Sequence, residues 1–94
     1  MKLRIASFAR QDLREIAEYI ARDDPVRAET FIKELGAKIR LLALQPLLYP
    51  SREEWQAGLR SALHHRYHIV FRIDNDCVEV LRILHGARDI DGLF

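Results

Sequence analysis

Four histidines and twelve arginines are the side chains of this 94-residue chain that could carry chemistry, and they are unevenly spread. His64-His65 is the pair that resembles a metal ligand set. On a strand, however, adjacent residues point to opposite faces, and no His-x-His spacing accompanies the pair, so a metal site is not expected. No glycine-rich phosphate loop is present. Ser7, Ser51 and Ser61 stand in no nucleophile motif, and His85 has no carboxylate partner fixed by sequence, so no catalytic residue and no cofactor is expected. What remains is arginine near the strands: Arg60, Arg66, Arg72, Arg82 and Arg88, interleaved with His65, His68 and His85. Guanidinium groups suit planar, multidentate contacts to carboxylate, phosphate or base edges. Arg88, just beyond Gly86-Ala87, is the freest to meet a partner.

These side chains are positioned by the stretch Tyr67 to His85, which reads as a β-hairpin. Both arms are rich in β-branched and aromatic residues, and Asp74-Asn75-Asp76 is a polar cluster of the kind that reverses a chain. A two-residue loop at Asn75-Asp76 sets Ile73 against Val78, Arg72 against Glu79, Phe71 against Val80 and Tyr67 against Leu84. One face then holds Tyr67, Ile69, Phe71, Ile73, Val78, Val80 and Leu84, and needs a covering layer. The other carries His68, Val70, Arg72, Glu79, Leu81, Ile83 and His85. Its apolar members Val70, Leu81 and Ile83 either receive a partner or lie under a loop or the chain terminus. The same register places Arg82 among apolar residues opposite Ile69, so Arg82 must reach an edge, pair with a helix carboxylate such as Glu15 or Glu34, or signal a different register.

Before the hairpin the chain changes period twice. Lys2 to Ser7 alternates as a short strand, then Leu13, Ile16, Ala17 and Ile20 form a helical stripe with Ser7 as its expected N-cap. Asp24-Pro25 caps and starts a second helix carrying Ala28, Phe31, Ile32, Leu35, Ile39 and Leu42, which ends before Gln45-Pro46. Helices joined so tightly must lie antiparallel, and Gly36 suits a close approach between them. Residues 46–57 form a crossing loop, with Trp55 packed over the edge of the core. From Leu59 the alternation returns in a strand that leads into the hairpin. The expected architecture is α+β, β-α-α-β-β-β, with a helix hairpin on one face of a small, largely antiparallel sheet, in a single domain spanning 1–94.

Composition narrows the classes. Fifteen cations against fourteen anions give a net charge of +1, so overall charge makes no case for nucleic acid. Cys77 is the single cysteine, which excludes an internal disulfide and fits a reducing compartment. No long apolar run marks a signal peptide or membrane span, and a cytoplasmic location is expected.

The element order, the phrases Asp12-Leu13-x-x-Ile16-Ala17-x-Tyr19-Ile20, Pro25-x-x-Ala28, Leu42-x3-Pro46 and Tyr67-x-Ile69-Val70-Phe71, and the ending Leu84-His85-Gly86-Ala87-Arg88-Asp89 resemble the RelE/ParE toxin superfamily over nearly the whole chain. The tight helix hairpin and that ending are most similar to the ParE branch. The resemblance implies a toxin of a type II toxin–antitoxin pair, neutralised by a cognate, ParD-like antitoxin and meeting operator DNA only through it. The ParE branch implies inhibition of DNA gyrase without enzymatic activity. The RelE branch implies ribosome-dependent mRNA cleavage; a non-toxic relative would only bind its antitoxin. Carried over by position, Arg88 falls on a basic residue of the RelE active site and Arg60 near another, while Phe94 replaces a tyrosine whose hydroxyl would transfer protons. The expected target contacts are Arg60, Arg66, Arg88, Leu93 and Phe94. The expected antitoxin contacts are Val70, Leu81 and Ile83, or else a groove beside the helix hairpin.

Overall fold

A computed structural model describes residues 1–90. Strand β1 (Lys2–Ile5) leads into helices α1 (Ser7–Ala21) and α2 (Pro25–Leu44), followed by β2 (Arg60–His64), β3 (Tyr67–Asp74) and β4 (Cys77–His85). The sheet order is β1-β4-β3-β2; β1 runs parallel to β4, and the other pairs are antiparallel. Both helices lie on one face. Ile16, Phe31, Leu35, Ile39 and Leu42 pack there on Tyr67, Ile69, Phe71, Val78 and Val80.

The helix boundaries follow from local chemistry. Asp24 caps α2, its Oδ1 accepting the Arg27 amide at 3.0 Å, and Pro25 occupies the first turn, where its missing N–H costs nothing. Ser7 does not cap α1; it lies inside the helix, and Ala6 holds the cap position without a side-chain bond. Gly36 does not serve a close helix approach either. A Cβ there would meet only the Arg40 guanidinium, at an ordinary 3.5 Å.

The hairpin turns at Asn75-Asp76, with Asn75 at φ 56°, and near the turn the register is the expected one: Ile73 opposite Val78, Arg72 opposite Glu79, Phe71 opposite Val80. Beyond that it shifts by one residue. Val70 faces Arg82, Ile69 faces Ile83 and Tyr67 faces His85, so Leu81 is an extra residue in β4. This β-bulge exchanges the faces of everything after it. Ile83 joins the helix-side core, whereas Leu84 turns to a second cluster with Leu59 and Val70, flanked by Trp55, Leu81 and Ile90.

The second sheet face is therefore closed in two ways. The 50–59 segment and Ile90 cover Val70, as a loop or terminus would. Toward the hairpin turn, Glu79 accepts from Arg4 at 3.0 Å and from Arg72 at 2.9 Å.

Candidate functional site

One hollow lies where the C-terminal half of α1, the start of α2, the β2–β3 turn and the end of β4 meet. It is lined by the aromatic rings of Tyr19, Phe31 and Tyr67 and by Arg27, Arg66 and Arg88, with His65 and His85. The tight connection between β2 and β3 brings it together: His64 pairs with Tyr67, leaving His65-Arg66 as a two-residue loop with His65 at φ 53°. The Arg66 carbonyl accepts the Gly86 amide at 2.8 Å, which binds this loop to the end of β4.

Past β4 the backbone is held by its own side chains. Asp89 Oδ2 accepts the His85 amide at 2.7 Å, and His85 Nδ1 accepts the Ala87 amide at 3.2 Å. An Nδ1 that accepts leaves the proton of a neutral His85 on Nε2. Arg88 donates to the Tyr67 hydroxyl at 3.3 Å and lies 5.3 Å from the Tyr19 ring centre. The Tyr67 ring meets His85 edge-on at 5.3 Å. The hollow thus has an apolar, aromatic floor and exposed cations at its rim, an arrangement suited to anionic or planar groups of a macromolecular partner.

On the α2 side, Arg27 is bonded to Glu34 at 2.6 Å and lies 5.1 Å from the Phe31 ring centre. The Arg27 hydrogen bond, followed by that of His64, holds the Glu34 carboxyl below the usual range. His64 Nε2 is 3.0 Å and His65 Nε2 3.7 Å from the same Glu34 oxygen, Oε1. The expectation that His64 and His65 diverge fails because β2 ends at His64 and the left-handed conformation of His65 breaks the alternation.

The sequence-expected residues separate. Arg66 and Arg88 line the hollow together. Arg60 does not join them: it stands opposite Phe71, four residues along β2 from the His64–Tyr67 pair, or about 13 Å. Its guanidinium donates to the Tyr49 carbonyl at 2.8 Å. Leu93 and Phe94 lie outside the described residues. Among the expected antitoxin contacts, Val70 and Ile83 are buried, 1% and 2% exposed, and only Leu81 is half-buried. Among the described residues, exposed apolar side chains gather instead at Leu41, Leu44, Leu47 and Leu48 around the end of α2; others are Met1 and Leu3 on and beside β1, Tyr19 at the hollow, and Phe8, Val26 and Leu63.

Tyr19, Arg27, Glu34 and Asp12 are not among the site residues expected from the sequence. Arg27, Phe31 and Glu34 recur at helical spacing, which puts them on one face of α2 and was the available signal. Nothing local marked Asp12 as buried.

Residues 3–90 match the family described as ParE toxin of type II toxin-antitoxin system, parDE. Among solved structures, a chain of the chromosomal ParDE TA system from P. aeruginosa has a similar fold, with a TM-score of 0.81 at 20% identity, covering 90% of this chain and 95% of that one. No curated protein matches. No helix among the described residues is long and apolar enough to cross a membrane.

Proposed function

We propose, because this chain belongs to the ParE toxin family of type II toxin–antitoxin systems, that it arrests growth by inhibiting DNA gyrase and is silenced by a cognate, ParD-like antitoxin. The observation that carries the choice of target is the separation of Arg60 from Arg88. Phosphodiester cleavage needs its acid, base and charge-stabilising groups convergent on one phosphate, and the Arg60 guanidinium is instead spent on the Tyr49 carbonyl, outside the hollow that Arg88 lines. The target surface is the hollow rimmed by Arg66 and Arg88, with Leu93 and Phe94 as further contacts proposed from the sequence alone.

For the antitoxin we assign the exposed leucines Leu41, Leu44, Leu47 and Leu48, because a cluster of large apolar side chains in water favours a covering partner. Leu81, half-buried beside Trp55, is at most a margin of that contact. Operator DNA is met only through the antitoxin, and both partners belong to the cytoplasm.

One observation favours the second reading, an mRNA interferase: the Tyr67 hydroxyl, the His85 ring and Arg88 are neighbours in the hollow and could move a proton near an anion. Purified chain incubated with gyrase and plasmid separates the readings. Accumulation of protein-linked, cleaved DNA, lost in Arg88→Ala, supports the gyrase reading. Unaffected gyrase with ribosome-dependent shortening of mRNA replaces it with the interferase. Neither effect, with antitoxin binding retained, leaves a non-toxic binding module.

A further inference from the structure

We propose that Glu34, His64 and His65 form a binding site for a single divalent transition metal of the Zn2+ class, joining α2 to the β2–β3 turn. Nothing in the toxin reading requires such an ion; the inference rests on the side chains alone. One carboxylate oxygen and two imidazole nitrogens, all within 4.8 Å of one another, converge from a helix interior, a strand end and a tight turn.

The distances suit the ion. Ligands about 2.0–2.1 Å from a tetrahedral Zn2+ lie about 3.3 Å from one another. Here Glu34 Oε1 is 3.0 Å from His64 Nε2 and 3.7 Å from His65 Nε2, so closing the set takes shifts of an ångström or so in side chains that already face each other. Two imidazoles and a carboxylate are a donor set that Zn2+ takes readily, with a fourth position left for water or a partner's side chain.

The surroundings are those of a prepared site. Arg27 holds mainly the other Glu34 oxygen, Oε2, at 2.6 Å and reaches Oε1 only at 3.4 Å, so it orients the carboxylate while leaving Oε1 to the ion. Phe31 walls the cluster on the core side, its ring centre 5.3 Å from that of His64 and 5.6 Å from that of His65. The two imidazoles meet edge to face with centres 4.6 Å apart, turned toward a common point although consecutive in sequence. His65 and Arg27 also line the hollow with Arg66 and Arg88, so a bound ion adds positive charge to the rim of the target surface.

The test is calorimetric titration of the full, untagged chain with Zn2+ near neutral pH, since a polyhistidine tag would supply its own sites. The expected result is one ion per chain at micromolar affinity or tighter, a melting temperature raised by several degrees in excess Zn2+, and four-coordinate visible bands with Co2+. His65→Asn, whose new side chain tolerates the left-handed backbone, and Glu34→Gln should each weaken binding at least about tenfold. The apo melting temperature of His65→Asn should match that of the unaltered protein. His68→Gln, outside the cluster, should bind as before. Absence of Zn2+ uptake at micromolar concentrations, undiminished binding in both ligand variants, or binding abolished by His68→Gln would each overturn the proposal.

Discussion

Asp12 holds Arg82 in a two-pronged grip, accepting Nε at 2.8 Å and Nη2 at 3.0 Å, and the same carboxylate accepts the Ile83 amide at 2.8 Å. Strand β1 pairs with β4 only as far as Val80, where the chain turns away into α1. Past that point Asp12, from the second turn of α1, takes the place of a neighbouring strand for the exposed edge of β4. Arg82, displaced by the bulge, wraps around that edge and lies 5.7 Å from the Phe8 ring centre.

Removing that carboxylate should be among the most damaging single changes. Asp12 is 7% exposed, and Asp12→Ala leaves both a guanidinium and a strand amide without their acceptor. A loss of about 3–5 kcal/mol in urea unfolding is expected. The double variant Asp12→Ala/Arg82→Met should recover part of it, because no half-buried guanidinium is then left without its acceptor.

Two neighbours on β3 should behave oppositely. Phe71 is fully buried, and Phe71→Ala should cost about 3–5 kcal/mol. Arg72 is half-exposed in its ion pair with Glu79, and Arg72→Ala should cost about 0–1 kcal/mol. Equal losses at the two positions would refute the assignment of faces.

Acid should weaken the fold in two stages. Burial, and then the nearby Arg52 charge, lowers the His68 pKa below its ordinary 6.5, so the folded protein resists protonation that the unfolded chain accepts. The resulting stability is present above pH 6.5 and is lost as pH falls through the lower folded value. Glu79, held below its ordinary 4.5 by the Arg4 hydrogen bond and less by that of Arg72, adds stability above pH 4.5 that disappears as pH falls through its own folded value. Denaturant titrations against pH should show both slopes. His68→Gln should remove the upper one and Glu79→Gln should reduce the lower.

Antitoxin affinity should respond to the leucines around the end of α2 and not to the sheet. Leu44→Ser with Leu48→Ser should weaken binding at least about tenfold without lowering the melting temperature, since both side chains already stand in water. Leu81→Ala should leave affinity near that of the unaltered protein. The opposite ranking would move the antitoxin to the sheet face.

Much of this architecture is legible without coordinates because local rules and the fold agree. Pro25 and Asp24 start α2, the helical stripes choose the buried faces, and Asn75-Asp76 turns the hairpin in the expected register near the loop. What escapes is non-local or a matter of parity. The bulge at Leu81 has no glycine or proline to announce it, and it moves Ile83 and Leu84 to faces opposite those the alternation assigns. The mispairing expected for Arg82 was the visible symptom. The hollow escapes because it joins residues from α1, α2, the β2–β3 turn and the end of β4, and no spacing rule links Tyr19 to Arg88. His64 and His65 converge through a left-handed turn residue, which alternation forbids and a two-residue loop permits.

The bulge gives β4 one residue more than its ladder with β3 needs. Leu81 is unpaired in the ladder and half-buried, so exchanging it for another apolar residue changes little; deleting it leaves Arg82, Ile83 and His85 opposite Val70, Ile69 and Tyr67, in a ladder without the bulge. Alternation from Val80 then keeps Ile83 on the helix side and Leu84 on the other, but turns Arg82 to the face away from the helices and out of the grip of Asp12. Residue 81 is therefore held in place by the Asp12–Arg82 pair and not by the core: a one-residue deletion between Val80 and Arg82 should leave Ile83 and Leu84 on their faces and lose that pair.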